Sequence, residues 1–380
     1  MVFPDLRLCF RGSALILLLS ISGWSNAYQP TMAFTENLAI AFKFDDAGNF
    51  HNGNAVVMIA QRGKVTMALI DTAGDQLFTA DEIADFSGDV APFRQDNQWG
   101  IVNRRGDVVL APKYARMHLF AGDLAAVLKE GLWGYVNSRG EEVIDRQFAQ
   151  AAIFSEGLAA VQDQDGLWGF IDQQGQWQIN AQFTDTLAFS EGLAAVRQND
   201  KWGYVSTDGT LTIHPQFEQA RIFKNGLAAV NDGQHWGYIR TDGQWLAEPA
   251  FDAAKTFNEG FAAVRYADGY DYIDEQGQPL TRQQFDDAWS FHEGLARVEQ
   301  DGKVGYLNRD GEWAIEPRFS WALSFNEGLA PATVDFWEYG YINPQGEMVI
   351  KAEFEHAKTF SDGVAAVKLH GKWGYIKAPD

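Results

Sequence analysis

The chain has 380 residues, of which 46% are hydrophobic and 14% aromatic, and its formal net charge is −21 at pH 7. This apolar content favours a folded protein over a disordered one. The excess of acids argues against nucleic acid and anionic lipid as partners, because both would be repelled.

The first predicted segment is a signal peptide over residues 1–27. Basic residues, a short apolar run and a small-residue cleavage site follow one another as in signal peptides: Arg7 and Arg11, residues 14–19, then Ser25 and Ala27 before Tyr28. The run is too short to span a bilayer. The one cysteine, Cys9, lies in this leader, so packing and not disulfides must stabilise the mature chain. We expect an exported protein, periplasmic or extracellular, that does not insert into the membrane.

Residues 28–380 are predicted to form one array of repeated units. A Trp-Gly signature recurs at intervals of 34 or 35 residues over much of the chain, at Trp99, Trp133, Trp168, Trp202, Trp236 and Trp373, with weaker copies at Tyr270, Val304 and Tyr339. Self-similarity at such a period is typical of small units that bury their apolar faces only against their neighbours.

Each unit contains patterns for three short strands. One is a glycine-bounded apolar run such as 226–230, the second carries the Trp-Gly signature, and the third alternates apolar and polar residues, as in 211–217. Asp-Gly turns follow the second strand. Pro215 in the third strand removes a hydrogen-bond donor, which favours a strand end or a sheet edge.

A second motif, Phe-x-x-Ala-x-x-Phe-x-x-Gly, sets the number of units. Its earliest copy begins at Phe44, which gives ten units, and the array ends just after its last second strand, at Ile376. We therefore predict an all-β tandem array of ten antiparallel units of about 34 residues. An open, solenoid-like superhelical stack is the favoured arrangement, with a closed β-propeller as the alternative, since the chain ends could also complement each other.

These motifs resemble the bacterial Trp-Gly repeat family, also called WG or KWG repeats. The resemblance rests on Lys-Trp-Gly-Tyr-Val at 201–205, Phe-Ser-Glu-Gly-Leu-Ala-Ala-Val at 189–196 and Pro-Gln-Phe at 215–217, and it covers about residues 44–376. It implies an all-β repeat protein, frequently exported, that acts as a binding or interaction module. The family carries no catalytic residues to transfer.

No motif for a catalytic, metal or cofactor site is found in the sequence. The seven histidines do not approach metal-ligand spacing. Neighbouring carboxylates such as Asp45 with Asp46, Asp286 with Asp287, and Glu141 with Glu142 point to opposite faces of a strand and would not converge on one bond. We expect a non-catalytic binding or scaffold protein with a protein or cell-envelope glycan as partner. The alternative is a carbohydrate-active enzyme that uses carboxylates from separate repeats.

The tryptophans have two interpretations, as sugar-stacking platforms or as repeat core. A residue required at the same place in every unit is usually structural, so Trp99, Trp133, Trp168, Trp202, Trp236 and Trp373 are assigned to the core.

The binding surface is predicted where aromatic residues replace polar ones. Phe336 and Trp337 align with Asn199 and Asp200 in a polar loop. Trp321 takes a position that is polar in other units, where it is Asp46, Arg116, Gln150, Asp185, Gln219, Asp287 or His356. Exposed, clustered aromatics mark interaction patches.

Overall fold

The computed structural model describes residues 37–379, and every regular element within them is a β-strand. The 39 strands form ten small antiparallel sheets, nine with four strands and one with three. The predicted all-β fold and the ten units are confirmed. The predicted signal peptide and residues 28–36 of the predicted array lie outside the described residues. No helix within residues 37–379 is long and apolar enough to cross a membrane.

Each sheet is one blade of a ring. In blades 1 to 5 the strands are β2 Asp46–Ala47, β3 Ala55–Gln61, β4 Lys64–Ile70 and β5 Gln76–Ala80; β6 Glu82–Ile83, β7 Val90–Gln95, β8 Gln98–Asn103 and β9 Val108–Tyr114; β10 Arg116–Met117, β11 Leu124–Lys129, β12 Leu132–Asn137 and β13 Glu142–Phe148; β14 Gln150–Ala151, β15 Leu158–Gln162, β16 Trp168–Asp172 and β17 Trp177–Phe183; β18 Asp185–Thr186, β19 Leu193–Gln198, β20 Lys201–Ser206 and β21 Leu211–Phe217.

Blades 6 to 10 continue in the same way. Their strands are β22 Gln219–Ala220, β23 Leu227–Asn231, β24 Trp236–Arg240 and β25 Trp245–Phe251; β26 Ala253–Ala254, β27 Phe261–Tyr266 and β28 Gly269–Asp274; β29 Asp287–His292, β30 Leu295–Gln300, β31 Lys303–Leu307 and β32 Trp313–Phe319; β33 Trp321–Ala322, β34 Ala330–Thr333, β35 Tyr339–Ile342 and β36 Met348–Phe354; β37 His356–Ala357, β38 Val364–Leu369, β39 Lys372–Lys377 and, from the start of the array, β1 Leu38–Phe44.

The two ends of the array share blade 10, which closes the ring. β1 pairs antiparallel with β39, with Leu38 opposite Ile376 and Phe44 opposite Trp373. Blade 10 also contacts blade 1 directly, since the Tyr375 hydroxyl donates to the carbonyl oxygen of Gly48 at 2.7 Å. Of the two predicted arrangements, the structure therefore has the alternative, a closed ten-bladed β-propeller, and not the open stack. The closure joins both ends of the array in one sheet, of which β1 is the outer edge strand.

We name the four strands of a blade a, b, c and d in chain order. The a strand, usually two residues long, is not predicted from the sequence because two residues show no alternation. Since neighbouring strands are antiparallel, the a–b and c–d turns lie at one end of the ring. The b–c loops and the connections from d to the next a strand lie at the other end, which we call the b–c face. The predicted edge position of Pro215 is confirmed, because β21 is the last strand of its sheet.

The aromatic residue that follows the Trp-Gly pair forms the centre of the core. Tyr204 is fully buried, and its hydroxyl donates to the carbonyl oxygen of Arg221 in the next blade at 2.7 Å. The same bond to the residue 17 positions later is made by Tyr135, Tyr238, Tyr272, Tyr306 and Tyr341. Tyr375 makes the equivalent bond across the ring closure, to Gly48 of blade 1. Each ring thus fills the space between two blades while its polar end is satisfied.

The glycine of the signature is required by a bulge in the d strand. Trp202 pairs with Phe217 and Tyr204 with Ile213, so the d strand has two extra residues opposite Gly203. The bulged backbone lies against the glycine: a Cβ placed on Gly134 would be 2.6 Å from the carbonyl oxygen of Ile144. Any residue with a Cβ would therefore displace the d strand.

Two blades without this glycine show the consequence. In blade 1 Ala68 takes its place, and there Met67 pairs with Ala80 and Leu69 with Phe78, so the bulge is lost. In blade 7 Asp271 takes its place, and the sheet has no d strand. The buried Asp271 carboxylate instead accepts hydrogen bonds from the loop that replaces the strand, at Thr281 and Arg282.

Carboxylates tie the a–b turns of successive blades together. The Glu191 carboxylate accepts the backbone N–H groups of Asn225 and Gly226 in the next blade, at 2.6 and 2.7 Å. The equivalent bonds come from Glu156, Glu259, Glu293, Glu327 and Asp362. Because one short side chain spans two blades here, these turns lie where the blades converge near the ring axis.

Candidate binding surface

The six signature tryptophans begin or nearly begin the c strands, at the b–c face. Trp133 and Trp373 are buried, with 4% and 8% of their surface exposed. The other four, Trp99, Trp168, Trp202 and Trp236, are half-buried and pack at the border of the interblade clusters. Each of these four rings therefore has one side packed against the protein and another facing solvent. The residue two positions later is instead enclosed between two blades.

Basic or imidazole side chains directly after the a strands lie against several of these rings. The His118 ring lies 4.6 Å from Trp133, the Arg221 guanidinium 5.0 Å above Trp236, and the Lys358 ammonium 5.0 Å above Trp373. In these blades the cationic or imidazole group occupies a ring face that a sugar would need for stacking.

Trp321 opens the a strand of blade 9 and joins a row of rings across two blades. It is half-buried, and its ring packs edge-on against Tyr339 at 5.2 Å between centroids. Tyr339 is 5.6 Å from His356, which stacks on Trp373 at 6.2 Å. Trp321 is thus part of the packing at the b–c face and also borders solvent. Tyr339 and His356 were not predicted as site residues, although both stand at recurrent positions of the repeat.

The other two predicted residues project from the b–c loop of the same blade. This aromatic loop, Val334–Glu338, carries Phe336 and Trp337 with 59% and 81% of their surfaces exposed, and Val334 with 54%. In blade 5 the corresponding loop contains Asn199 and Asp200. An exposed tryptophan in such a position costs solvation free energy and contributes nothing to the core.

The aromatic loop is held in one conformation by hydrogen bonds at its base. The buried Thr333 hydroxyl accepts the backbone N–H of Phe336 at 3.1 Å, and the Asp335 carboxylate accepts the N–H groups of Trp337 at 2.9 Å and Glu338 at 3.3 Å. These backbone bonds lower the pKa of Asp335. The loop therefore presents its two rings with little conformational freedom left to lose on binding.

The strand pairing brings the three predicted residues together. Trp321 is paired with Thr333, the residue directly before the aromatic loop. The Ser320 hydroxyl donates to the carbonyl oxygen of Val334 at 2.6 Å and fixes the other side of the loop. Trp321, Phe336 and Trp337 thus lie at one corner of blade 9, on the b–c face.

The neighbouring carboxylates noted in the sequence have separate partners. Asp45 pairs with Lys372 at 2.6 Å, while Asp46 pairs with Lys358 at 3.6 Å. The Lys372 hydrogen bond, with a further bond from the backbone N–H of Ala60, lowers the pKa of Asp45. Within residues 37–379, no group of three or more His, Cys, Asp or Glu side chains is arranged to hold a metal ion.

The protein is a ten-bladed β-propeller built from tandem repeats. This fold and the aromatic residues on its b–c face are consistent with a binding or scaffold role. The family model described as "WG containing repeat" matches residues 35–62, 99–133, 133–168, 168–202, 202–234, 236–270, 272–303, 305–335 and 339–373. The chain therefore belongs to the WG repeat family, as its motifs predicted.

Among solved structures, the chain is similar to BamB from Moraxella catarrhalis, with 13% identity, a TM-score of 0.36, and coverage of 82% of this chain and 97% of that one. A eukaryotic initiation factor matches with 11% identity and a TM-score of 0.48, over 74% and 90%. The extracellular domain of BT4673 from B. thetaiotaomicron matches with 10% identity and a TM-score of 0.29, over 89% and 59%. No curated protein sequence matches the chain.

Proposed function

We propose that the chain is an exported, non-catalytic binding protein that uses the propeller as a rigid scaffold and presents the b–c face of blade 9 to a protein or cell-envelope glycan partner. The main support for this proposal is the aromatic loop. Phe336 and Trp337 are more than half exposed there, on a backbone that is hydrogen-bonded to Thr333 and Asp335. Aromatic anchors on a preorganised backbone are typical of interaction hot spots.

Export is proposed from the sequence of residues 1–27. The basic, apolar and small-residue segments predict cleavage before Tyr28. Mass spectrometry of the protein recovered from the medium or the periplasm is expected to find Tyr28 at or near the amino terminus. Recovery of the full-length chain only from the cytoplasm would contradict this part of the proposal.

The absence of chemistry is also part of the proposal. The carboxylates that a glycosidase would need are engaged in ion pairs or turn bonds in several blades, as for Asp45 and Asp46. A carbohydrate-active enzyme would lose turnover on replacement of a single carboxylate. We expect binding without turnover, checked by incubating the protein with envelope polysaccharides and measuring released reducing ends.

The test of the binding surface compares two double variants of the intact protein. Trp321→Ser with Trp337→Ser removes the proposed anchors, and Asp185→Ser with Asp200→Ser makes the same changes at the corresponding positions of blade 5. A glycan array and a pull-down from envelope extract supply the ligands. We expect the first variant to lose the ligand that the wild type and the second variant retain. Equal binding by all three proteins would refute the proposed surface.

A further inference from the structure

The charges around the aromatic loop differ from those at the same place in other blades. In blade 5 Lys201, directly before the signature tryptophan, pairs with Glu218, the residue that follows the d strand. Blade 10 repeats this pair with Lys372 and Asp45 at 2.6 Å. In blade 8 the Lys303 ammonium donates to the Ser320 hydroxyl at 2.9 Å. A lysine at this position thus bonds to the connection to the next blade.

Blade 9 reverses this charge. Glu338 stands directly before Tyr339 in the place of the lysine, and Glu355 follows Phe354 in the place of Glu218. Tyr339 and Phe354 are paired, so the two glutamates flank one pair of strand residues. A carboxylate therefore stands where blades 5 and 10 have a lysine paired with the acid that follows the d strand.

A third carboxylate adds to the charge beside the loop. Glu353 lies in the d strand, is partly buried, and carries a raised pKa because of burial, with the Glu338 carboxylate adding to the rise and Lys351 opposing it. No described residue forms an ion pair with Glu338 or Glu353. Glu338 thus has no ion-pair partner among residues 37–379, whereas Glu353 has Lys351 near it.

The aromatic loop places two exposed rings beside these carboxylates. Neither Phe336 nor Trp337 makes a ring contact with another described aromatic residue. A cation is attracted both by carboxylates and by the face of a tryptophan, and an arginine or lysine stem also covers apolar surface. A neutral glycan would leave Glu338 without a counter-charge, and an acidic one would be repelled.

We infer that the partner of the aromatic loop is a basic protein segment whose lysine or arginine side chain lies against Trp337 and pairs with Glu338 and Glu353. This inference rests on the proposed function and names the chemistry of its partner. The incoming cation takes the place of the lysine that blade 9 lacks. The acidic net charge of the whole chain also favours the approach of such a segment.

The experiment selects ligands from a random peptide library displayed on phage, with the intact protein as the target and the Trp337→Ser variant for counter-selection. The selected peptides are expected to be rich in lysine and arginine. Their Kd is expected to rise about tenfold or more on going from about 0.1 M to about 0.5 M salt, because screening weakens exposed charge pairs.

Two charge variants then separate this site from general attraction to an acidic protein. Glu338→Lys creates the lysine–acid pair of blades 5 and 10, with Glu355 as the acid, so we expect it to fold and to bind the selected peptides at least about tenfold more weakly. Lys201→Glu is the matched control, since it creates the charge pattern of blade 9 in blade 5, where no aromatic loop exists. We expect this control to bind the peptides as the wild type does.

Several results would overturn the inference. Selected peptides that are neutral or acidic yet require Trp337 for binding would refute the basic partner and leave the proposed surface intact. The same conclusion would follow if a glycan or a second copy of the chain bound through Trp337 and no basic peptide did. Basic peptides that bind equally well to Glu338→Lys would also contradict it. If no ligand of any class requires Trp337, the proposed function fails as well.

Discussion

Blades 5 and 9 have the same framework and different b–c faces. Trp202 pairs with Phe217 in blade 5 as Tyr339 pairs with Phe354 in blade 9, and Tyr204 and Tyr341 are equally buried and make the same interblade bond. At the b–c face, blade 5 has a short polar loop and a Lys201–Glu218 ion pair. Blade 9 has the aromatic loop and Glu338 in place of the lysine.

The difference separates what every blade needs from what one blade adds. Positions that touch the next blade are constrained by the ring, because each must fit the same space ten times. Positions on the b–c loops do not have to fit against the next blade, so their residues are free to diverge. Exposed aromatic rings in such a loop lower solubility and add no packing, so they are explained by an interaction with a partner and not by the needs of folding.

The largest expected effect is the same in both blades. Tyr204→Ala and Tyr341→Ala each remove a fully buried ring and should each lower the free energy of unfolding by about 3–5 kcal/mol. Chemical denaturation of the two variants measures this. A much smaller loss for Tyr341→Ala would break the comparison, because it would mean that blade 9 is packed differently.

The signature glycine comes next. Gly203→Ala and Gly340→Ala put a Cβ against the bulged d strand, and each should cost about 1–3 kcal/mol through overpacking. Ala68→Gly is the control, since blade 1 has no bulge at that position and should lose only about 1 kcal/mol or less. Wild-type stability of both alanine variants would refute the steric origin of the bulge.

A smaller effect concerns the opposite end of the ring, where the carboxylate ties recur. Burial works to raise the pKa of Glu259, but hydrogen bonds from Arg309 and from the N–H groups of Gly294 and Glu293 outweigh it and lower the pKa. A carboxyl whose pKa is lowered on folding stabilises the fold above its unfolded pKa, and that stability is lost as the pH falls through the folded value.

Glu259→Gln is therefore expected to be less stable than the wild type above about pH 5, with the difference shrinking at lower pH. Denaturation at a series of pH values measures it. The effect should be small, because this carboxylate is partly exposed and its ion pair with Arg309 is screened by solvent. A difference that grows on acidification would reverse the assigned sign.

Much of this architecture could be predicted from the sequence. The period, the Asp-Gly turns and the alternation over 211–217 predict the ten units and their b, c and d strands. The closure of the ring could not be predicted. Closure depends on the contact of β1 with β39, which are more than three hundred residues apart, and the phase of the repeat suits an open stack equally well.

The candidate site divides in a similar way. Phe336 and Trp337 are detectable because they break a polar pattern, and their exposure follows from the position of the loop. The half-buried state of Trp321 depends on Tyr339, a contact that no periodicity reveals. Likewise, the role of Glu338 is visible only once the Lys201–Glu218 pair shows what that position does in another blade.

The most direct test of the central claim is an exchange of loops between the two blades. Replacing Val334–Glu338 by the sequence of Gln198–Lys201 should turn the b–c face of blade 9 into that of blade 5. We expect the free energy of unfolding to stay within about 0.5 kcal/mol of the wild type, because no core contact changes, while binding of the partner is lost. Retained binding, or a loss of stability as large as that of Tyr341→Ala, would contradict the account.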